Sequence, residues 1–126
     1  MTLSETQCLH TANMALLIRH AGELGYAVKV SEWNRTVETE REYIAKGLSK
    51  LKDPNSCTHV QGRGTDLVLF LNGQAITEGE SFRPLGEFWE SLGGRWGGRF
   101  GFEGQPKEVQ DANLGWDSDH FETRIS

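Results

Sequence analysis

Residues Thr65 to Leu71, followed by Asn72-Gly73, constrain the fold of this chain more than any other stretch. Leu67-Val68-Leu69-Phe70-Leu71 is an apolar run of strand length and reads as a buried strand. Asn-Gly suits a two-residue hairpin turn, whose central positions both take positive φ. Gln74-Ala75-Ile76 is therefore expected to return as a paired strand. Asp66 stands apart in this stretch. It sits at the mouth of the apolar strand, where an unpaired carboxylate is costly, and a bound metal would remove that cost.

The flanking segments supply helices. Ser4-Glu5-Thr6-Gln7 fits a capping box, and Leu9, Ala12, Leu16, Leu17, Ala21 and Leu24 recur at helical spacing, so a first helix is expected over about 5–24. His10 and His20 lie on it as surface or packing residues. Tyr26, Val28 and Val30 alternate as a strand to about residue 32. A second helix runs from Val37 to about Lys46, with Glu38 and Glu40 in the first turn, where they suit the helix dipole. Pro84 to Leu92 forms a third, with Leu85, Phe88, Trp89 and Leu92 on one face. The glycine-dense stretch 93–102 reads as a tight loop, and the polar stretch 103–115 as a flexible excursion. His120 to Ile125 reads as a final strand with His120, Glu122 and Arg124 on one face.

Length and charge narrow the function. A chain of 126 residues fits one domain, 1–126, able to bury a core without staples. A net charge of −5 disfavours a nucleic-acid surface, leaving the Arg, Gly and aromatic residues of 93–102 as the weakest functional lead. No apolar run is long enough to span a membrane, and no basic segment followed by an apolar one opens the chain, so no signal peptide is expected. Cys8 and Cys57 do not make a disulfide framework and are read as free thiols.

The chemistry gathers in two stretches, Cys57-Thr58-His59-Val60-Gln61-Gly62-Arg63-Gly64-Thr65-Asp66 and Trp116-Asp117-Ser118-Asp119-His120-Phe121-Glu122. His59, Asp66 and His120 make a three-ligand set. Zinc with three protein ligands keeps a fourth position open for chemistry, whereas four-ligand sites are usually structural. Gly62 and Gly64 allow a tight backbone path between the first two ligands. Asp117, three residues before His120, is placed to act on a water that the metal activates. Asp119 reads as part of a solvated acidic loop. Together these point to hydrolysis.

The two stretches resemble the zinc peptidases of the phage L-alanyl-D-glutamate endopeptidase and D-alanyl-D-alanine carboxypeptidase family. That family carries Ser-x-His-x-x-Gly-x-Ala-x-Asp and, later, Asp or Glu three residues before His. Arg35, in Asn34-Arg35-Thr36, matches an arginine that the family carries before its second helix, and the resemblance covers about residues 30–124. It implies an α+β fold, with helices packed on a small antiparallel sheet that holds zinc. It also implies that His59, Asp66 and His120 bind zinc, that Asp117 is the catalytic base and that Arg35 stabilises the oxyanion. The substrate would be a peptidoglycan stem peptide, with no nucleic acid, no membrane insertion and a monomeric enzyme. A phage or prophage endolysin, made in the host cytoplasm and acting on the wall after release, is the expectation. A D-alanyl-D-alanine carboxypeptidase and a non-catalytic cell-wall-binding module are the alternatives. Cys57 and Gly64 depart from the pattern, standing where the family has serine and alanine. Cys57 either replaces a supporting hydroxyl or approaches the metal as a soft ligand, which would close the fourth position.

Overall fold

The computed structural model describes residues 1–125. In chain order its elements are α1 (Leu3–Glu23), β1 (Ala27–Glu32), α2 (Val37–Ala45), β2 (Gly64–Leu71), β3 (Gln74–Ala75), α3 (Arg83–Ser91), β4 (Arg95–Trp96), α4 (Lys107–Ala112) and β5 (His120–Glu122). The strands form one antiparallel sheet in the order β1-β2-β5-β4, with β3 also paired to β2. This is the expected α+β arrangement of helices on a small antiparallel sheet. No helix among the described residues is long and apolar enough to cross a membrane.

β2 is the centre of the sheet. Thr65, Leu67 and Leu69 are fully buried, while Asp66, Val68 and Phe70 alternate with them and are half-buried. Asp66 therefore lies on the face opposite the apolar core. The hairpin turn forms as expected, with Asn72 at φ 51° and Gly73 at φ 77°.

α1 begins two residues earlier than expected. Thr2, not Ser4, is the N-cap, and the capping box is closed by Glu5. Gln7 is thereby free to reach across the fold and donate to the Gln61 carbonyl at 2.7 Å. The buried stripe also differs from the expected one. It is Thr6, His10, Met14, Leu17 and Ala21, while Leu9, Leu16 and Leu24 are exposed. The buried set follows the helical period as well as the apolar set did. Two of its members, Thr6 and His10, are polar, so apolar spacing does not mark it. His10 lies edge-on between Trp33 and Trp89, with ring centroids 5.5 and 5.6 Å away. Its Nδ1 and Nε2 each lie 2.8 Å from a hydroxyl, of Thr123 and Thr65 respectively. Burial, with the nearby His120, His59 and Arg63, lowers its pKa to about 4, so His10 is a neutral core residue. His20 stacks on Phe88 at 4.1 Å.

The stretch 93–102 is more ordered than a loop. It holds β4 and a single 3-10 turn, Gly97–Arg99, and Trp96 is fully buried. Trp96 is covered by Arg83 and Arg99, 5.7 and 5.2 Å from its ring. The stretch 103–115 is likewise not a free excursion. It contains α4, and Arg99 binds Asp111 at 3.0 Å, Arg83 donates to the Asn113 carbonyl at 2.9 Å, and the Gly115 N–H donates to the Gly98 carbonyl. Polar composition hid these ties because each partner lies distant in sequence. β5 is shorter than expected and leaves Arg124 exposed beyond it.

The glycines around Trp96 serve close packing. A Cβ on Gly86 of α3 would lie 2.0 Å from Trp96 Cδ2. Gly86→Ala should therefore overpack the core and lower unfolding free energy by about 1–3 kcal/mol. Urea denaturation with an unchanged midpoint would contradict this packing.

Candidate metal and active site

The sheet register builds the site. Glu32 on β1, Asp66 on β2 and His120 on β5 are paired in one row across three strands, with an irregularity in β1 between Val30 and Glu32. His59 comes from the loop before β2. Its Nδ1 donates to the Trp33 carbonyl at 3.2 Å, which turns Nε2 towards Asp66. The Arg35 N–H donates to the His59 carbonyl and ties this loop to the segment before α2. Gly62 adopts φ +67°, a left-handed conformation that suits glycine and bends the chain between the two ligands.

The three residues converge. His59 Nε2 lies 3.3 Å from Asp66 Oδ2, and His120 Nδ1 lies 2.8 Å from Asp66 Oδ1. One donor atom from each lies within 4.8 Å of the others, and among the described residues this is the group that could hold a metal ion. Two atoms each bound to zinc at its usual length and at a tetrahedral angle are roughly 3.3 Å apart. The spacing and the two-nitrogen, one-carboxylate chemistry both fit zinc.

Each histidine is oriented by a second partner. His120 Nε2 faces Glu122 Oε1 at 3.0 Å, so Nδ1 is the nitrogen presented to Asp66. This is the carboxylate–histidine arrangement that fixes ring orientation at metal centres. Burial would raise the Asp66 carboxyl, but hydrogen bonds from His120 and His59 hold it well below the usual range. Burial would likewise lower His120, and hydrogen bonds to Asp66 and Glu122 outweigh it and raise the imidazole. The pocket thus already favours positive charge at the point where the three donors meet.

Asp117 lies at the edge of this cluster, with Oδ2 4.0 Å from His120 Nδ1. Its carboxyl is pushed up to about 6, chiefly by burial and with help from Asp66 and Asp119, although His120 pulls the other way. Asp119 is half-buried rather than solvated, and its carbonyl accepts from the Leu67 N–H at 3.0 Å. Gly97 presses against the Asp117 carbonyl, 1.9 Å from where a Cβ would stand, so the backbone position of Asp117 depends on glycine there.

Arg35 reaches the same cavity. It is held by both oxygens of Glu32 and by Glu40, whose side chain is fully buried, at 2.7 Å. Cys57 is turned towards Arg35, with Sγ 3.5 Å from Nη1, and burial raises its pKa. Cys57 does not belong to the three-residue donor group. Both cysteines are free. Arg35, Cys57, His59, Asp66, Asp117 and His120 line one cavity of about 650 Å³, together with Lys50, Arg63, Arg95, Phe100, Trp116 and Glu122.

Glu32 and Glu122 were not anticipated as parts of the site. Glu122 carried a signal in its two-residue spacing from His120. Glu32 carried none, since its place depends on strand pairing.

The family profile described as phage L-alanyl-D-glutamate peptidase matches residues 4–123. The chain belongs to this family. No curated protein sequence matches it. Among solved structures, this family member is similar to the L-Ala D-Glu endopeptidase ChiX of Serratia marcescens. That match has a TM-score of 0.60 and 21% identity, covering 90% of this chain and 79% of the other. It is also similar to a mutant of the vancomycin-resistance D,D-pentapeptidase VanY in complex with Zn(II). That match has a TM-score of 0.56 and 19% identity, covering 90% and 70%. Both likenesses concern the fold.

Proposed function

We propose that this chain is a zinc-dependent peptidase that cleaves between L-alanine and D-glutamate in peptidoglycan stem peptides, and that it serves as a phage or prophage endolysin. The observation that carries the reading is the meeting of His59 Nε2, His120 Nδ1 and the Asp66 carboxylate in one cavity with Asp117 at its edge. Membership in a family named for this bond supports it. The zinc-bearing VanY and the endopeptidase ChiX, alike in fold, support the metal and the substrate class.

His59, Asp66 and His120 would hold the ion, which would supply Lewis-acid activation of a water and of the scissile carbonyl. Asp117 takes a proton from the attacking water as its oxygen bonds to the carbonyl carbon. The same carboxyl then hands that proton to the departing amine as the C–N bond breaks. Arg35 brings positive charge to the carbonyl oxygen as it becomes anionic. Glu32 and Glu40 fix that guanidinium in place, and the Cys57 thiol lies against it. The working unit is the single domain 1–126, acting as a monomer on the wall after release from the cytoplasm.

Mass spectrometry of a defined muropeptide tests the reading. The expected products are an L-alanine-terminated fragment and a new D-glutamyl amine, formed with zinc and not after chelation. Release of terminal D-alanine instead would make the enzyme a D,D-carboxypeptidase. Zinc binding without any peptide release would make it a wall-binding module.

A further inference from the structure

The cavity holds four cationic side chains, and they differ in how far their charge is already spent. Arg35 is taken by Glu32 and Glu40. Arg63 donates to Gln61 Oε1 and the Thr123 carbonyl and lies 3.7 Å from Glu122. Arg95 forms a two-pronged pair with Glu103, lies 3.4 Å from Glu122, and covers the Phe100 ring. Lys50 is different. It is an exposed member of the cavity lining, with Nζ 5.8 Å from the centroid of the Trp116 ring. Trp116 is itself 73% exposed and directly precedes Asp117. An exposed indole and an ammonium that has no carboxylate partner among the described residues thus face each other in the lining of the cavity, and the indole is one position before Asp117 in the chain.

The substrate bond fixes what such a pair can read. A glutamyl residue joined through its amine carries two carboxyl groups. Only one can continue the chain, so the other stays free unless it is amidated. That carboxylate travels with the leaving group, close to the scissile nitrogen. We propose that Lys50, backed by Trp116, binds the free carboxylate of the glutamyl residue and makes the enzyme select acidic over amidated stem peptides. This inference rests on the hydrolytic reading above. A carboxylate taking the ammonium would replace a weak contact with the ring by an ion pair in a partly enclosed site, where screening is reduced. Arg63 and Arg95 are poor competitors, because each is already engaged by protein acceptors, and Arg35 is assigned to the scissile carbonyl.

The test uses two peptides that differ only in that group, L-alanyl-γ-D-glutamyl-L-lysine and its carboxamide counterpart. With the full chain and zinc, the acidic peptide should show a KM lower by about fivefold, the scale of an ion pair at a partly exposed site. Lys50→Met should bring the ratio to about one by raising KM for the acidic peptide, and Lys50→Arg should restore it. Lys50→Glu should reverse the preference. Calorimetric binding of both peptides to the metal-free protein should show the same ordering, so the inference can be judged whether or not the peptides are cut. A preference that survives Lys50→Met in binding, or a wild-type protein that does not distinguish the peptides, overturns the inference. Failure of the hydrolytic reading shows itself separately, as peptide binding without cleavage in the presence of zinc.

Discussion

Asp117→Ala is expected to lower kcat/KM on a stem peptide by about 10²- to 10⁴-fold, the usual contribution of a general base. Zinc content should stay at that of the wild type, because Asp117 is outside the donor group formed by His59, Asp66 and His120. The folded, metal-free protein should not lose stability. A carboxyl whose folded pKa is raised adds stability below its unfolded pKa and loses that contribution as pH rises through the folded value, here about 6. At neutral pH the ionised Asp117 is therefore a burden on the fold, and its removal should leave the melting temperature unchanged or higher. Such a residue is costly to the fold and useful to the chemistry. Retained hydrolysis in the variant would remove Asp117 from its role. Lost hydrolysis together with lost zinc would make it a ligand instead.

His59→Ala is expected to abolish both zinc uptake and hydrolysis. Loss of an outer partner of a metal ligand already costs about 10–100-fold in affinity, and loss of the ligand itself should cost more. Thermal unfolding offers a reading independent of activity. Zinc at about a thousand times its Kd should stabilise the wild type by roughly 4 kcal/mol, and this zinc-dependent rise in melting temperature should vanish in the variant. An imidazole that donates to the Trp33 carbonyl at 3.2 Å also helps hold its loop. His59→Gln separates the two roles by keeping a polar side chain while removing the ring nitrogen that faces Asp66. A variant that still binds one zinc per chain would exclude His59 from the centre.

The parts of the fold legible in the sequence were those decided locally. The Asn72-Gly73 turn, the strand before it and the helix opened by Thr36 follow from backbone preferences and short periodicities, and they formed with ends shifted by a residue or so. Convergence of His59, Asp66 and His120 was legible because two motifs in the right order carried it. The misreadings arose where distant partners decide the outcome. The buried stripe of α1 includes Thr6 and His10, whose burial is made tolerable for His10 by the hydroxyls of Thr65 and Thr123, far along the chain. The 103–115 stretch looked free because the arginines that pin it, Arg83 and Arg99, lie before it and show no local pattern. Glu32 enters the site only through its pairing with Asp66. Asp119 looked solvated because alternation gives a direction for a side chain and no measure of its enclosure.

The row that pairs Glu32 with Asp66 and Asp66 with His120 has a further consequence. Its members come from the early, central and final strands, and His10 of the first helix is buried beneath them against Thr65 and Thr123. Of the three candidate donors, His59 and Asp66 are near in sequence, and His120 joins them only when β5 pairs with β2. A chain whose last described strand has not yet docked on β2 therefore presents an incomplete donor set.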